Sequence, residues 1–229
     1  MVFRIYVGSY TNEIYTLNFD PESSSLTLES SITVGFHPSW ITPHPKDRSV
    51  VFTGLEESKG QVVVVRFDEN GKGSIIGSAS SGGRDPCSLL ATDTQLLIGN
   101  VRVFSLIDDP KRILTTGNQY SSGIFNTIPL TLEAPYLAAP GAVALQLTGT
   151  GPNADRQESS HPHQVILHPQ RDELLVPDLG ADKTWRFKKN AQGTWEIAGH
   201  VSYKPGDGPR HLAFHSTSLS FPVHGFDLG

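Results

Sequence analysis

Short runs of apolar residues, many of them alternating with polar ones and broken every few positions by turn-forming residues, recur along the chain. After Pro38 the order is SWITPHP, SVVFTGLE, QVVVVRFD and SIIGSAS, with DENGKG as the hairpin turn before the last run. Each run is rich in Val, Ile, Thr and aromatic residues, and each predicts a strand. A second series follows Pro162: HQVILHP, ELLVPDLG, KTWRFKK and TWEIAGHVSY, separated by QRD, AD and NAQG turns. The N-terminus adds FRIYVGSYT, EIYTLNFD and SLTLESSITV. Long helical patterns are scarce, so the pattern predicts an all-β chain.

The strand series are copies of one unit. HPSWITPHP (37–45) aligns with HPHQVILHP (161–169), His-Pro matching at both ends. DPCSLLATD (85–93) keeps the proline and the alternating apolar core, and GPRHLAFHS (208–216) keeps the proline and the later histidine. The copies start at Pro38, Pro86, Pro162 and Pro209, which gives spacings of 48, 76 and 47 residues. A period of about 40 to 50 residues holding four short strands predicts a β-propeller, whose blades are four-stranded sheets around a central channel. The three N-terminal strands then read as the outer part of a blade whose innermost strand comes from the C-terminus.

Composition agrees with this picture and narrows the partners. The 22 glycines and 16 prolines supply the many turns. A net charge of −5 without any Lys/Arg block argues against nucleic acid or an anionic membrane as partner. Cys87 is the only cysteine, which excludes an intrachain disulfide. MVFRIYVGSYTN lacks the apolar core of a signal peptide, and no apolar run approaches the roughly 20 residues of a membrane span. These features together predict a soluble, cytoplasmic protein.

YVGSYT, GPNADRQESSHPHQV (151–165), LLVPDLGADKTWRF (174–187) and PGDGPRHLAFH (205–215) together resemble the seven-bladed lactonase propellers, the family of 6-phosphogluconolactonase and fungal carboxy-cis,cis-muconate cyclase. The resemblance implies one partial propeller domain over residues 1–229, about four to five blades' worth of chain. Two segments leave the family pattern. Residues 101–119, VRVFSLIDDPKRILTTGNQ, interrupt a strand–turn–strand passage. The Val101 codon begins GT and the Gln119 codon can be CAG, the two ends of an intron, so a retained intron stands beside an ordinary loop insertion as explanation. Residues 216–229 form an off-pattern tail.

The anchors of the repeat are also the candidates for chemistry. His161 and His163 share strand parity and are candidate catalytic residues, since histidine transfers protons near neutral pH. Arg210 offers a planar fork of donors for a carboxylate or phosphate, and His37 occupies the place of His161 in another unit. Asp178 joins Arg210 and His37 as a candidate substrate-binding residue. Asp178 and Asp182 in PDLGAD suit an Asx-turn better than a metal, so no metal and no cofactor are expected. His44, His168 and His215 recur at the far end of the strand and read as scaffold, and Trp40, Trp185 and Trp195 read as packing between blades.

The resemblance implies an enzyme acting on a small anionic lactone or carboxylate, by hydrolysis of 6-phosphogluconolactone or by cycloisomerisation of a carboxymuconate. In the cyclase branch it implies a site built from an HPH histidine, the GPRH arginine, a glutamate of the next strand and a later arginine, of which only the first two fall within this sequence. The alternative is a non-catalytic propeller fragment or binding scaffold, with self-association through exposed blade faces.

Overall fold

The structure, a computed structural model, describes residues 1–102, 123–138, 145–215 and 218–226. Every element among them is a β-strand, and the strands form five antiparallel sheets in chain order. β1 (Phe3–Val7), β2 (Glu13–Asp20) and β3 (Ser25–Thr33) make the first. β4 (Trp40–Pro43), β5 (Val50–Leu55), β6 (Gln61–Phe67) and β7 (Gly73–Ser80) make the second. The third holds β8 (Arg84–Ala91), β9 (Gln95–Arg102), β10 (Gly123–Pro129) and β11 (Leu145–Leu147). The fourth holds β12 (Ile166–Leu167), β13 (Leu174–Asp178), β14 (Lys183–Lys189) and β15 (Trp195–Ser202). β16 (Pro209–His215) and β17 (Ser218–Phe226) pair as the fifth.

Successive sheets pack face to face, and strand parity decides which neighbour a residue meets. Val51, Val63, Val65 and Phe67 point from the second sheet towards the first, where they cluster with Ile14 and Val34. Val50, Phe52, Val62 and Val64 point the other way, onto Leu89, Leu96, Ile98 and Ile128 of the third sheet. A third layer joins Leu97, Phe125 and Leu147 to Leu174, Val176, Trp185 and Phe187 of the fourth. Middle strands are therefore apolar on both faces, which is why QVVVVRF runs without polar alternation. Outer strands β3, β7 and β15 are the more exposed ones, mixing polar residues with exposed apolar ones such as Leu26, Leu28, Ile75, Ile197 and Val201. In three sheets the register slips where the outermost strand pairs with its neighbour, at Thr16/Leu17, Val64/Val65 and Arg186/Phe187. Such bulges strengthen the twist that sheets of a propeller need.

Of the recurring histidines at the far end of the inner strands, His44 and His168 act as scaffold. Nδ1 of His44 accepts the amides of Lys46 and Asp47 at 3.2 and 2.9 Å, and Nδ1 of His168 accepts that of Gln170 at 3.1 Å. The three tryptophans lie in or against the layers between sheets, and Trp40 Nε1 donates to the Leu89 carbonyl of the next sheet at 2.8 Å. Of the off-pattern segment 101–119, Val101 and Arg102 continue β9, and the remainder lies outside the described residues. Asn100 in β9 pairs with Ile124 in β10, the strand–turn–strand partner that the sequence pattern expects. Of the tail, residues 218–226 pair with β16, and 216–217 and 227–229 lie outside the described residues.

Candidate functional site

The inner strands β4, β8, β12 and β16 each start near a repeat proline, β8 and β16 including it, and their starting ends converge. A close approach of backbones makes this possible. A Cβ on Gly8 would lie 2.6 Å from the Pro38 carbonyl oxygen, and one on Gly54 would lie 2.5 Å from that of Pro86. Each glycine thus lets the next unit's proline seat directly on the preceding sheet. The residue before the proline is left-handed in three units, with φ of 48° at His37, 52° at Asp85 and 54° at Gly208. Proline disfavours the right-handed helical region for its predecessor, and only glycine enters the left-handed region without cost. His37 and Asp85 therefore hold strained backbone at the inner end of their sheets, where strain is commonly kept for function.

His163 and Arg210 meet here. Nε of Arg210 donates to Nε2 of His163 at 2.8 Å. A guanidinium is always charged, so this bond requires an unprotonated Nε2 on His163 and fixes the direction of the arginine side chain. His211 stands edge-on to His163 with ring centroids 5.1 Å apart, and it stacks at 6.4 Å on Trp40. Trp40 belongs to the second sheet and His211 to the fifth, so the inner strands surround one common space. Burial and the neighbouring Arg210 both hold the His211 ring below the ordinary histidine range.

His37 lies at the entry of the second sheet. Its ring stacks on Phe36 at 3.6 Å and meets the edge of Tyr10 at 5.3 Å. The backbone carbonyl of His37 accepts the amides of Ser39 at 2.8 Å and Glu56 at 3.4 Å. Glu56 follows the end of β5 and had no signal in the repeat, because the repeat anchors all lie on the inner strand. Its carboxylate accepts the Ser39 hydroxyl. Burial pushes the Glu56 carboxyl above the usual range and Asp85 pushes it the same way, while Ser39, His37 and Arg210 pull it back. The amide of Asp85 donates to the Glu57 carbonyl at 3.1 Å, which fixes the third sheet's entry beside Glu56.

His161 and Asp178 are placed differently. The His161 ring is buried, with Nε2 3.1 Å from Ser159 Oγ and 3.0 Å from Glu158 Oε1. Asp178 is fully buried. One carboxylate oxygen accepts the amides of His161 at 2.7 Å and Ala181 at 3.1 Å, and the other accepts the Ser160 hydroxyl and Trp185 Nε1 at 2.8 Å. These bonds hold the 158–162 loop against the fourth sheet. Asp182 accepts Gln157 Nε2 and the amides of Gly206 and Gly208, so it ties the same loop to the entry of β16. Together they set the positions from which His163 and Arg210 reach each other. No group of three or more His, Cys, Asp or Glu residues placed to hold a metal occurs among the described residues.

Antiparallel sheets of up to four strands, packed face to face in succession, define a β-propeller architecture. The chain belongs to the lactonase family of seven-bladed β-propellers, whose family profile matches residues 4–221. It is 29% identical over 217 residues to a 6-phosphogluconolactonase of Bacillus subtilis, covering 92% of this chain and 56% of that one. It is 27% identical to a probable 6-phosphogluconolactonase of Arthroderma benhamiae, covering 93% of this chain and 49% of the relative. Among solved structures, a putative 6-phosphogluconolactonase of Bacteroides fragilis superposes with a TM-score of 0.76 at 25% identity, over 94% of this chain and 59% of that one. The fold is shared with a periplasmic gluconolactonase of Pseudomonas aeruginosa, TM-score 0.74 at 23% identity, over 95% of this chain and 60% of that one. The chain thus spans about half the length of the curated relatives it matches.

Proposed function

We propose that this chain carries the anion-holding portion of a lactonase site and acts on a phosphorylated sugar-acid lactone, of the kind named for its relatives in Bacillus and Arthroderma. The observation that supports this reading is the Arg210–His163 bond at the inner strand ends. A guanidinium held in place by a histidine ring suits a phosphate or carboxylate through its planar fork of donors. Glu56, Asp85 and His37 supply groups able to move a proton. Opening the lactone ring needs both an anion holder and a proton carrier.

The test is turnover of 6-phosphogluconolactone by the 229-residue chain, corrected for spontaneous hydrolysis. Arg210→Ala is expected to raise KM about tenfold or more, the loss of one charge-assisted contact. Turnover no faster than the spontaneous rate would overturn the reading. Cycloisomerisation of a carboxymuconate would use the same arginine, and a parallel assay with that substrate separates the two. The engagement of His163 Nε2 by Arg210 also suits a second reading, a binding scaffold. That reading expects calorimetric binding of 6-phosphogluconate, abolished by Arg210→Ala, without turnover.

A further inference from the structure

Lactone hydrolysis needs a group that takes a proton from water and returns it to the ring oxygen. The two histidines of the HPH motif are poorly placed for it. Nε2 of His163 is engaged by Arg210, and the His161 ring is buried against Glu158 and Ser159. Granted a lactonase site built on Arg210, we propose that Glu56 is its proton-transferring carboxyl, positioned by Ser39.

Three geometric facts place it. The Glu56 amide is tied to the His37 carbonyl, its carboxylate is held by the Ser39 hydroxyl, and the neighbouring Glu57 carbonyl accepts the Asp85 amide. Glu56 is thereby clamped between the second and third sheets while remaining partly exposed. The charged and titratable groups acting on it come from every surrounding element: Tyr10 from the first sheet, His37, Asp85, Cys87, and Arg210 from the fifth. Ser39, which holds the Glu56 carboxylate, precedes Trp40, whose ring stacks on His211 next to Arg210, so Glu56 and Arg210 sit by the same group of inner strands.

In the step itself, the Glu56 carboxylate removes a proton from water as the water oxygen bonds to the lactone carbonyl carbon. The tetrahedral intermediate collapses, the bond between carbonyl carbon and ring oxygen breaks, and the Glu56 carboxyl returns the proton to the departing alkoxide. One water is consumed, and the product acid releases its own proton to solvent. A carboxyl held above the ordinary range is a stronger base when ionised, which suits both halves of this exchange.

Glu56→Gln keeps an acceptor for Ser39 and removes the base. It is expected to lower kcat about 100-fold with KM unchanged, the usual worth of a general base. In the wild-type chain activity should fall as pH drops through the raised Glu56 pKa, because the ionised form is the active one. Asp85→Asn removes a like charge and should move that acid limb to lower pH. Loss of kcat in Glu56→Gln together with the displaced limb in Asp85→Asn would support the assignment. Wild-type kcat in Glu56→Gln would overturn it while leaving the lactonase reading standing, as that reading rests on Arg210. Should Glu56→Gln fail to fold, an acid limb unmoved in Asp85→Asn overturns the assignment. An absence of wild-type turnover overturns both.

Discussion

Asp178 accepts four hydrogen bonds in a fully buried position, two from backbone amides and two from Ser160 and Trp185. Removing the carboxylate strips four donors of their acceptor in a buried setting. Asp178→Ala is therefore expected to cost about 3 kcal/mol or more, measured as a lowered urea midpoint. The loss should reach the site indirectly, since the loop it anchors delivers His163. Glu173 gives a pH signature of a different kind. Its nearly fully buried carboxylate pairs with Arg186, which holds it below its ordinary value of 4.5. A depressed folded-state pKa contributes stability that is present above about pH 4.5 and is lost as pH falls through the depressed value. Glu173→Gln should lower stability at neutral pH and flatten its fall in acid, as read from urea unfolding across that range.

At the scale of strands, the contacts between glycines and the next unit's proline give a graded prediction. A Cβ on Gly54 would meet the Pro86 carbonyl oxygen at 2.5 Å, but one on Gly99 would meet that of Pro162 only at 3.3 Å. Gly54→Ala must push two sheets apart, at about 1–3 kcal/mol, and Gly99→Ala should cost clearly less. Chemical denaturation of the two variants side by side checks the order. The strands themselves were legible in the sequence: KTWRFKK and EIYTLNFD coincide with β14 and β2 from end to end. HQVILHP was less so, because β12 keeps only Ile166 and Leu167 as ladder residues. Upstream of it His163 still donates its amide to the Pro177 carbonyl at 2.9 Å and Leu179 donates to that of His161 at 3.1 Å, around the isolated Pro162–Asp178 bridge. His37 and Arg210 are legible as candidates because they sit on the repeat. Glu56 was not, because it lies past the end of a second strand, and the contacts that define it join segments of different units. Nor did periodicity distinguish His163, which meets Arg210, from His161, two residues away and buried in its loop.

At the scale of the whole molecule, the layers between sheets are filled but the outer face of the first sheet is not. Pairing places Phe3, Phe19 and Leu26 in one row and Ile5, Leu17 and Leu28 in the next. Of these Phe3, Ile5, Leu26 and Leu28 are 40–63% exposed. An apolar sheet face of this kind invites association. In the 229-residue chain by itself, replacing Leu26 and Leu28 by Lys and Glu should shift sedimentation velocity profiles towards monomer, with the pairing of β1 to β3 kept. Within the array, the sheets hold together through contacts between sequence-distant inner strands. Ser88 Oγ accepts the Val165 amide at 3.0 Å, and Cys87 is buried against the Pro162 carbonyl. The only cysteine of the chain therefore sits at the seam between the third and fourth sheets, its thiol pushed far up by burial. A thiol reagent reaches it only when that seam opens, so the labelling rate of native protein is a clock for sheet separation. Run at increasing denaturant, the clock reads whether the blades come away singly or all together.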